Sequence, residues 1–299
     1  MAIAGPSREG AHTSRSPFKR LGEGLRINRR RLLKMIVVRG LALTIAIVVL
    51  YALGVLGVFD LNYAISILPF RGRALTLGLV TTLTLVGIVI PIGFSLGFTF
   101  GWARTSSRLP MRLVSTSYVE FFRGMPPIVL VASAYLITNA VLREIPGVED
   151  PGFVAAQVAI IALAAHSGAY QAEIVRAGIL SVPAGQVEAG EAIGMTRFEI
   201  LGSIILPQMF RISLPALGNE FASVIKDTSL LSAVNALDLT FQGKNLAALL
   251  AVGSGNVELV FLLWTEIALV YFVITFIVSR GLQTLEKRYR VPGLEAAQL

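Results

Sequence analysis

The chain has 299 residues, of which 55% are hydrophobic and 15% charged, and its mean hydropathy is +0.73. A soluble protein of this length carries about a quarter charged residues, so the composition excludes an ordinary globular domain and points to a polytopic, all-α membrane protein. The net charge of +8 sits beside apolar runs without interleaved aromatics, which fits anionic headgroups rather than nucleic acid. With no cysteine, neither a disulfide framework nor a thiolate metal site can be built.

In chain order, residues 1–34 read as a basic tail, with Arg29, Arg30 and Arg31 close to the first apolar run. Residues 35–60 form an additional N-terminal helix around the apolar run Leu41–Phe59, read as retained because no small-residue cleavage site follows it. Five more runs approach the roughly 20 residues that a hydrocarbon core demands. They are Leu75–Phe100, Val119–Leu142, Phe153–Tyr170, Leu206–Leu237 with interruptions, and Val257–Ser279. Six spans with the basic tail inside place both termini in the cytoplasm. Arg104, Arg108 and Arg112 then fall inside, and Glu144, Glu149 and Asp150 outside. Arg71 and Arg73 on the outer side run against that pattern.

Within the second run, Gly93, Gly97 and Gly101 repeat every four residues, a spacing that lets another helix approach closely. The G-x-S-x-G spelled by Gly93, Ser95 and Gly97 is a coincidence, since a hydrolase elbow needs a strand before the serine. The third run opens with Glu120 and Arg123 at its start. His166 is placed near the end of the fourth run, as an interfacial polar group. With His12 its only fellow histidine, no two-histidine metal site is expected.

Residues 181–207 are a polar island between apolar runs. Ser181 or Pro183 can open a short helix over Gln186 to Ile193, and Gly194 suits a left-handed end. Val187, Ala192 and Ile193 offer a small apolar contact while Glu188 and Glu191 keep the element soluble, as suits a helix lying in a partner's groove. An amphipathic linker resting on the membrane surface fits the same pattern. The fifth run is interrupted by Glu220, Lys226 and Asp227. Each costs at least roughly 2.5 to 3.5 kcal/mol at the centre of a lipid-facing helix. Glu220, Ser223 and Asp227 share one helical face, which is expected to look into the bundle or a wet cavity.

Several blocks together resemble a known family. The island carries Glu188-Ala189, Gly194, Ile204, Leu206 and Pro207 at the spacing E-A-x-x-x-x-G-x9-I-x-L-P, with Gly190 where a second alanine is usual. Around it stand EFFRGMP from Glu120, EIVR from Glu173, LPALGNEF from Leu214 and KDTSL from Lys226. In that order they are similar to the permeases of binding-protein-dependent ABC importers, more narrowly the polar amino-acid group. The resemblance runs from about residue 75 to 288, leaving 289–299 as a C-terminal tail. It implies the type I importer transmembrane fold of about six helices in a cell membrane and the translocation of amino acids. It also implies partnership with an ABC ATPase dimer, a second permease subunit, identical or paralogous, and an extracytoplasmic binding protein. The family pattern assigns Glu188, Ala189, Gly190, Gly194, Ile204, Leu206 and Pro207 to coupling, with Pro207 setting the return angle into the next span. Glu120, Arg123, Asn219, Glu220, Ser223, Lys226 and Asp227 are candidates for the solute path. No G-x-x-x-x-G-K-[ST] loop is present, so no catalytic residue, metal or cofactor is expected here, and ATP and Mg would sit on the partner ATPases.

Overall fold

The computed structural model describes the backbone over residues 68–254 and 257–289. The tail at 1–34, the additional helix at 35–60 and most of the C-terminal tail therefore lie outside the described residues. The elements are α1 (Leu68–Ala103), α2 (Leu109–Gly124), α3 (Pro127–Arg143), α4 (Pro151–Leu180), α5 (Ala184–Ala192) and α6 (Arg197–Ile200). A π-helical turn, Leu201–Ile205, leads directly into α7 (Leu206–Asp227) and a 3₁₀ segment (Thr228–Val234), followed by α8 (Leu239–Ser254) and α9 (Val257–Tyr289). No strand is found among the described residues.

Among the described residues, four helical stretches are long and apolar enough to cross a bilayer: Arg71–Ala103, Pro151–Leu180, Arg197–Val234 and Leu259–Glu286. A fifth is the pair α2 and α3, if they count as one span. Burial ranks them. Half of the most apolar window of α4 is buried, against 22% for α1 and 11% for α9, so α4 is the central post and the others turn apolar faces such as Leu77, Leu136 and Phe272 outward.

The α1–α4 contact is built on the glycine spacing. A β-carbon at Gly93 would stand 3.1 Å from the Ala164 carbonyl oxygen, at Gly97 2.6 Å from Gln171 Cβ, and at Gly101 2.5 Å from the Ala172 carbonyl oxygen. Both sets of numbers rise together, so the two helices run parallel. α7 runs antiparallel to α4, with Gly178 against Ser213 at one end and Ser167 against Glu220 further along. One hydrophobic core gathers Leu85 and Val89 of α1, Val131 of α3, Leu163 of α4, and Val224 and Leu231 beyond it. A second joins Leu239, Leu246 and Leu250 of α8 to Leu259, Leu263 and Ile267 of α9.

Three expectations change. The apolar run Val119–Leu142 is not one straight helix, because α2 and α3 meet at 102°. Pro126 and Pro127 each push the residue before them into extended backbone, and Met125 (φ −99, ψ 138) and Pro126 (φ −61, ψ 131) adopt it. His166 is not near a helix end. α4 continues to Leu180, which leaves His166 at mid-helix and buried, with Nδ1 2.8 Å from the Phe122 carbonyl oxygen. Arg71, unexplained from sequence, is only 2% exposed and pairs with Glu266 of α9 at 3.0 Å. Burial makes an ion pair of it, which no charge pattern along the chain could show.

Candidate functional site

The polar island folds into a compact finger. Pro183 caps α5, and the helix ends with the Gly194 N–H donating to the Glu191 carbonyl and the Met195 N–H to the Gly190 carbonyl, both at 3.0 Å. That paired closure needs a left-handed residue after the last turn, and Gly194 has φ +83. The chain restarts at once. Thr196 and Glu199 form a reciprocal cap, with the Thr196 N–H donating to Glu199 Oε2 at 2.7 Å and the Glu199 N–H to Thr196 Oγ1 at 3.4 Å. Gly190 is buried against the second limb, where a β-carbon would lie 3.0 Å from Ile204 Cδ1 and 3.2 Å from Ile200 Cγ1. Gln208 Nε2 donates to Gln186 Oε1 at 2.6 Å and ties the base.

This geometry sorts the seven coupling candidates. Glu188, Ala189 and Gly194 lie on the exposed surface of the finger, whereas Gly190, Ile204 and Leu206 hold it together from inside or along its second limb. Gly190 therefore keeps the finger's own two limbs close. Pro207 does not set a turn: the chain is helical without a break from Arg197 to Asp227. Proline lacks an N–H and collides with the preceding turn of a regular α-helix. The Leu206 N–H bonds instead to the Leu201 carbonyl, five residues back, and this wider turn receives Pro207 near the start of α7. Sequence reasoning missed Phe198, which at 85% exposed stands near the tip with Ile193 at 79%. The signal was present in the Thr196-x-x-Glu199 box, which opens a helix inside the island and so throws the next aromatic residue into view.

Above the finger, Glu173 of α4 accepts Arg104 Nη1 at 2.6 Å and also pairs with Arg176, joining the end of α1 to α4. Glu120 approaches Arg104 at 3.5 Å but is 65% exposed, so this pair contributes little. Arg123 lies over the Tyr170 ring at 5.2 Å, and that ring is 5.2 Å from the ring of His166.

Further along, the candidates on α7 divide between two faces. Glu220 accepts the Ser167 hydroxyl at 2.9 Å, and Ser167 in turn accepts Gln171 Nε2 at 2.8 Å. Gln171 is fully buried beneath Gly93 and Gly97, so the glycines admit a polar side chain as well as a close helix. Ser223 and Asp227 are half-buried on the same side of α7 as Glu220. Asn219 and Lys226, seven residues apart and thus on one face, are exposed toward α9. No group of three or more candidate metal ligands occurs among the described residues.

Residues 90–291 match the family of binding-protein-dependent transport system inner membrane components, and the match takes in the finger, the Glu220 relay and the Lys226 face. The chain belongs to that family. It is similar to the L-cystine transport system permease protein TcyB of Bacillus subtilis, 36% identical over 71% of this chain and 84% of the relative. It is also similar to the glutamine transport system permease protein GlnP of Escherichia coli K12, 36% identical over 67% of this chain and 85% of the relative. Among solved structures, a crystal structure of an amino acid ABC transporter with histidines superposes with a TM-score of 0.63 at 34% identity, covering 77% of this chain and 99% of that one. Members of the family are multi-pass membrane components of ABC transport complexes, and the all-helical architecture here is the type I importer fold.

Proposed function

We propose that this chain is the permease subunit through which an amino acid crosses the membrane, and that the finger from Ala184 to Ile205 is where a separate ATPase pair applies the force. The observation that carries the reading is the finger itself. Two closures, at Gly194 and at Thr196–Glu199, hold a short helix against the start of a membrane-spanning one, with Glu188, Ile193 and Phe198 turned outward. A linker lying on lipid has no need of two closures, one of them a reciprocal cap, and an internal glycine contact, whereas a lever does. Among the outward residues, Glu188 is the charged contact with the ATPase, beside Ala189, while Gly190, Gly194, Ile204, Leu206 and Pro207 keep the lever's shape.

The chain itself supplies no ATP site, so hydrolysis, with its Mg, belongs to the partner. A second permease subunit, of this sequence or a paralogue, completes the path, and a binding protein on the extracytoplasmic side delivers the solute. The functions of those relatives, cystine and glutamine transport, support amino acids as the solute class. Glu120, Arg123, Asn219, Glu220, Ser223, Lys226 and Asp227 are the polar groups available to the path. The test is affinity purification of the full chain from membranes that contain its ATPase. Wild-type chain brings the ATPase with it, and Glu188→Arg loses both ATPase association and amino-acid uptake. Retention of both by Glu188→Arg would remove the finger from the coupling role.

A further inference from the structure

α7 and α9 meet along a groove that stays open at the finger's end. Gly218 faces Leu282, where a β-carbon would stand 3.4 Å from Leu282 Cβ, and further along Lys226 lies beside Ala268 and Tyr271. The two sets of numbers run in opposite directions, so the helices are antiparallel. Around the Gly218–Leu282 contact, Pro215 and Asn219 of α7 and Ser279, Gln283 and Glu286 of α9 line a recess of about 190 Å³. Steps of three and four residues put each of these sets on one helical face. Pro215 is nine residues beyond Leu206, where the finger joins α7, and so about 14 Å along the helix from it. Antiparallel packing then sets Glu286 at the mouth nearest the finger, with Asn219 and Ser279 deeper in.

The polar side chains of this recess are unengaged. Asn219, Ser279, Gln283 and Glu286 make no side-chain hydrogen bond or ion pair among the described residues. Elsewhere the bundle pairs its carboxylates, Glu266 with Arg71 and Glu173 with Arg104 and Arg176. Arg280, a basic neighbour on α9, is turned to the Phe276 ring at 5.1 Å instead. What the recess offers is therefore one negative charge with two carboxamides and a hydroxyl, all able to accept. A primary ammonium carries three N–H donors and no acceptor, so it can meet Glu286 and two neutral oxygens at once. A quaternary ammonium has no N–H to give. A calcium ion would need six to eight oxygens at about 2.3–2.6 Å, and no group of three or more candidate metal ligands occurs among the described residues. The volume falls below the roughly 300–1,000 Å³ of sites for drug-sized ligands, which suits a small head group.

We infer that the α7–α9 recess binds a primary ammonium group, with Glu286 as its counter-charge and Gln283 and Asn219 accepting its other protons. The group is carried by an ethanolamine lipid headgroup or by a small amine from the aqueous phase on the finger's side. A guest there bridges α7, the helix continuous with the finger, to α9. The inference goes beyond the transport reading, since the guest is not the carried solute and the site does not depend on which amino acid crosses.

The experiment melts the permease–ATPase assembly in phosphatidylcholine nanodiscs against rising ethanolamine, with choline, trimethylated at the same nitrogen, as the comparison. A ligand that binds the folded state raises the melting temperature with its concentration, which yields an apparent Kd. Wild type is expected to respond to ethanolamine saturably and at concentrations at least about tenfold lower than to choline. Glu286→Gln keeps the side chain's shape and removes its charge, so it should weaken the ethanolamine response about tenfold to a hundredfold, the range for a hydrogen bond to a charged group. Glu286→Asp keeps the charge and should fall between the two. Phosphatidylethanolamine added to the nanodisc separates the sources. If it abolishes the response to free ethanolamine, the lipid headgroup fills the recess; if the response persists, a soluble amine does, and either result supports the ammonium site. No response to ethanolamine, an equal response to choline, or a wild-type response from Glu286→Gln would overturn it.

Discussion

Gly101→Ala, compared with Gly87→Ala in the same helix, measures what the glycine stripe contributes. At Gly101 the new β-carbon would fall 2.5 Å from the Ala172 carbonyl oxygen, 2.9 Å from Val175 Cβ and 3.0 Å from Val175 Cγ1. None of these is the free end of a flexible side chain. To bring 2.5 Å out to an ordinary contact of 3.4 Å, α1 and α4 must part by about 0.9 Å. One turn on, that movement opens the Arg104–Glu173 contact from 2.6 Å to beyond hydrogen-bond length. At Gly87 a β-carbon meets nothing within 4 Å. Both substitutions gain the same helix propensity, about 0.5–1 kcal/mol, so it cancels in the comparison. The remaining difference is the overpacking cost, about 1–3 kcal/mol. By the scale of soluble domains of similar size this separates the two melting temperatures by about 2–4 °C per kcal/mol. Thermal unfolding of the purified assembly in detergent reads it directly. Equal melting temperatures for the two variants would refute the close-packed stripe.

Gly194→Ala places a β-carbon on a residue at φ +83, which costs about 1–2 kcal/mol in the left-handed region; hydrogen exchange should rise across residues 184–200 while the spans stay protected, and unchanged exchange would count against the finger's closure. Ser167→Ala removes the hydroxyl that holds Glu220 and strands the buried Gln171 amide, at about 1–3 kcal/mol for the unsatisfied group. Ser167→Thr keeps the hydroxyl, so it should retain more thermal stability than the alanine variant; the reverse order would contradict the relay. Glu266→Gln leaves the Arg71 cation buried and should destabilise the assembly, while Arg71→Met combined with Glu266→Gln should recover most of the loss in the same melting assay. A double variant no better than the single would mean that the pair does not hold α1 against α9.

Sequence carried the membrane class, four of the spans within the described residues and the glycine stripe, because hydropathy and a four-residue repeat are local properties of the chain. It also carried Gly194, since a lone glycine after a helical run has few other uses. The angle at Pro126–Pro127 was written in the sequence too, yet averaging hydropathy along Val119–Leu142 cannot register direction. The pairing of Arg71 with Glu266 spans 195 positions, and only the folded bundle brings them together. For the candidate site the division is similar. Glu220 and Asp227 fell on one face by counting, but the split between the Ser167 side and the Lys226 side depended on where α4 and α9 pack.

The wide turn at Leu201–Ile205 accommodates one more residue than an ordinary helical turn. Each residue of an α-helix advances the azimuth by about 100°. The insertion therefore rephases everything from Leu206 to Asp227, and the bearing of Asn219 and Lys226 toward α9 is set some twenty residues earlier, at the root of the finger. Shortening that turn by a single position would leave the rod in place while swinging its lysine a little over a quarter of a revolution off the groove.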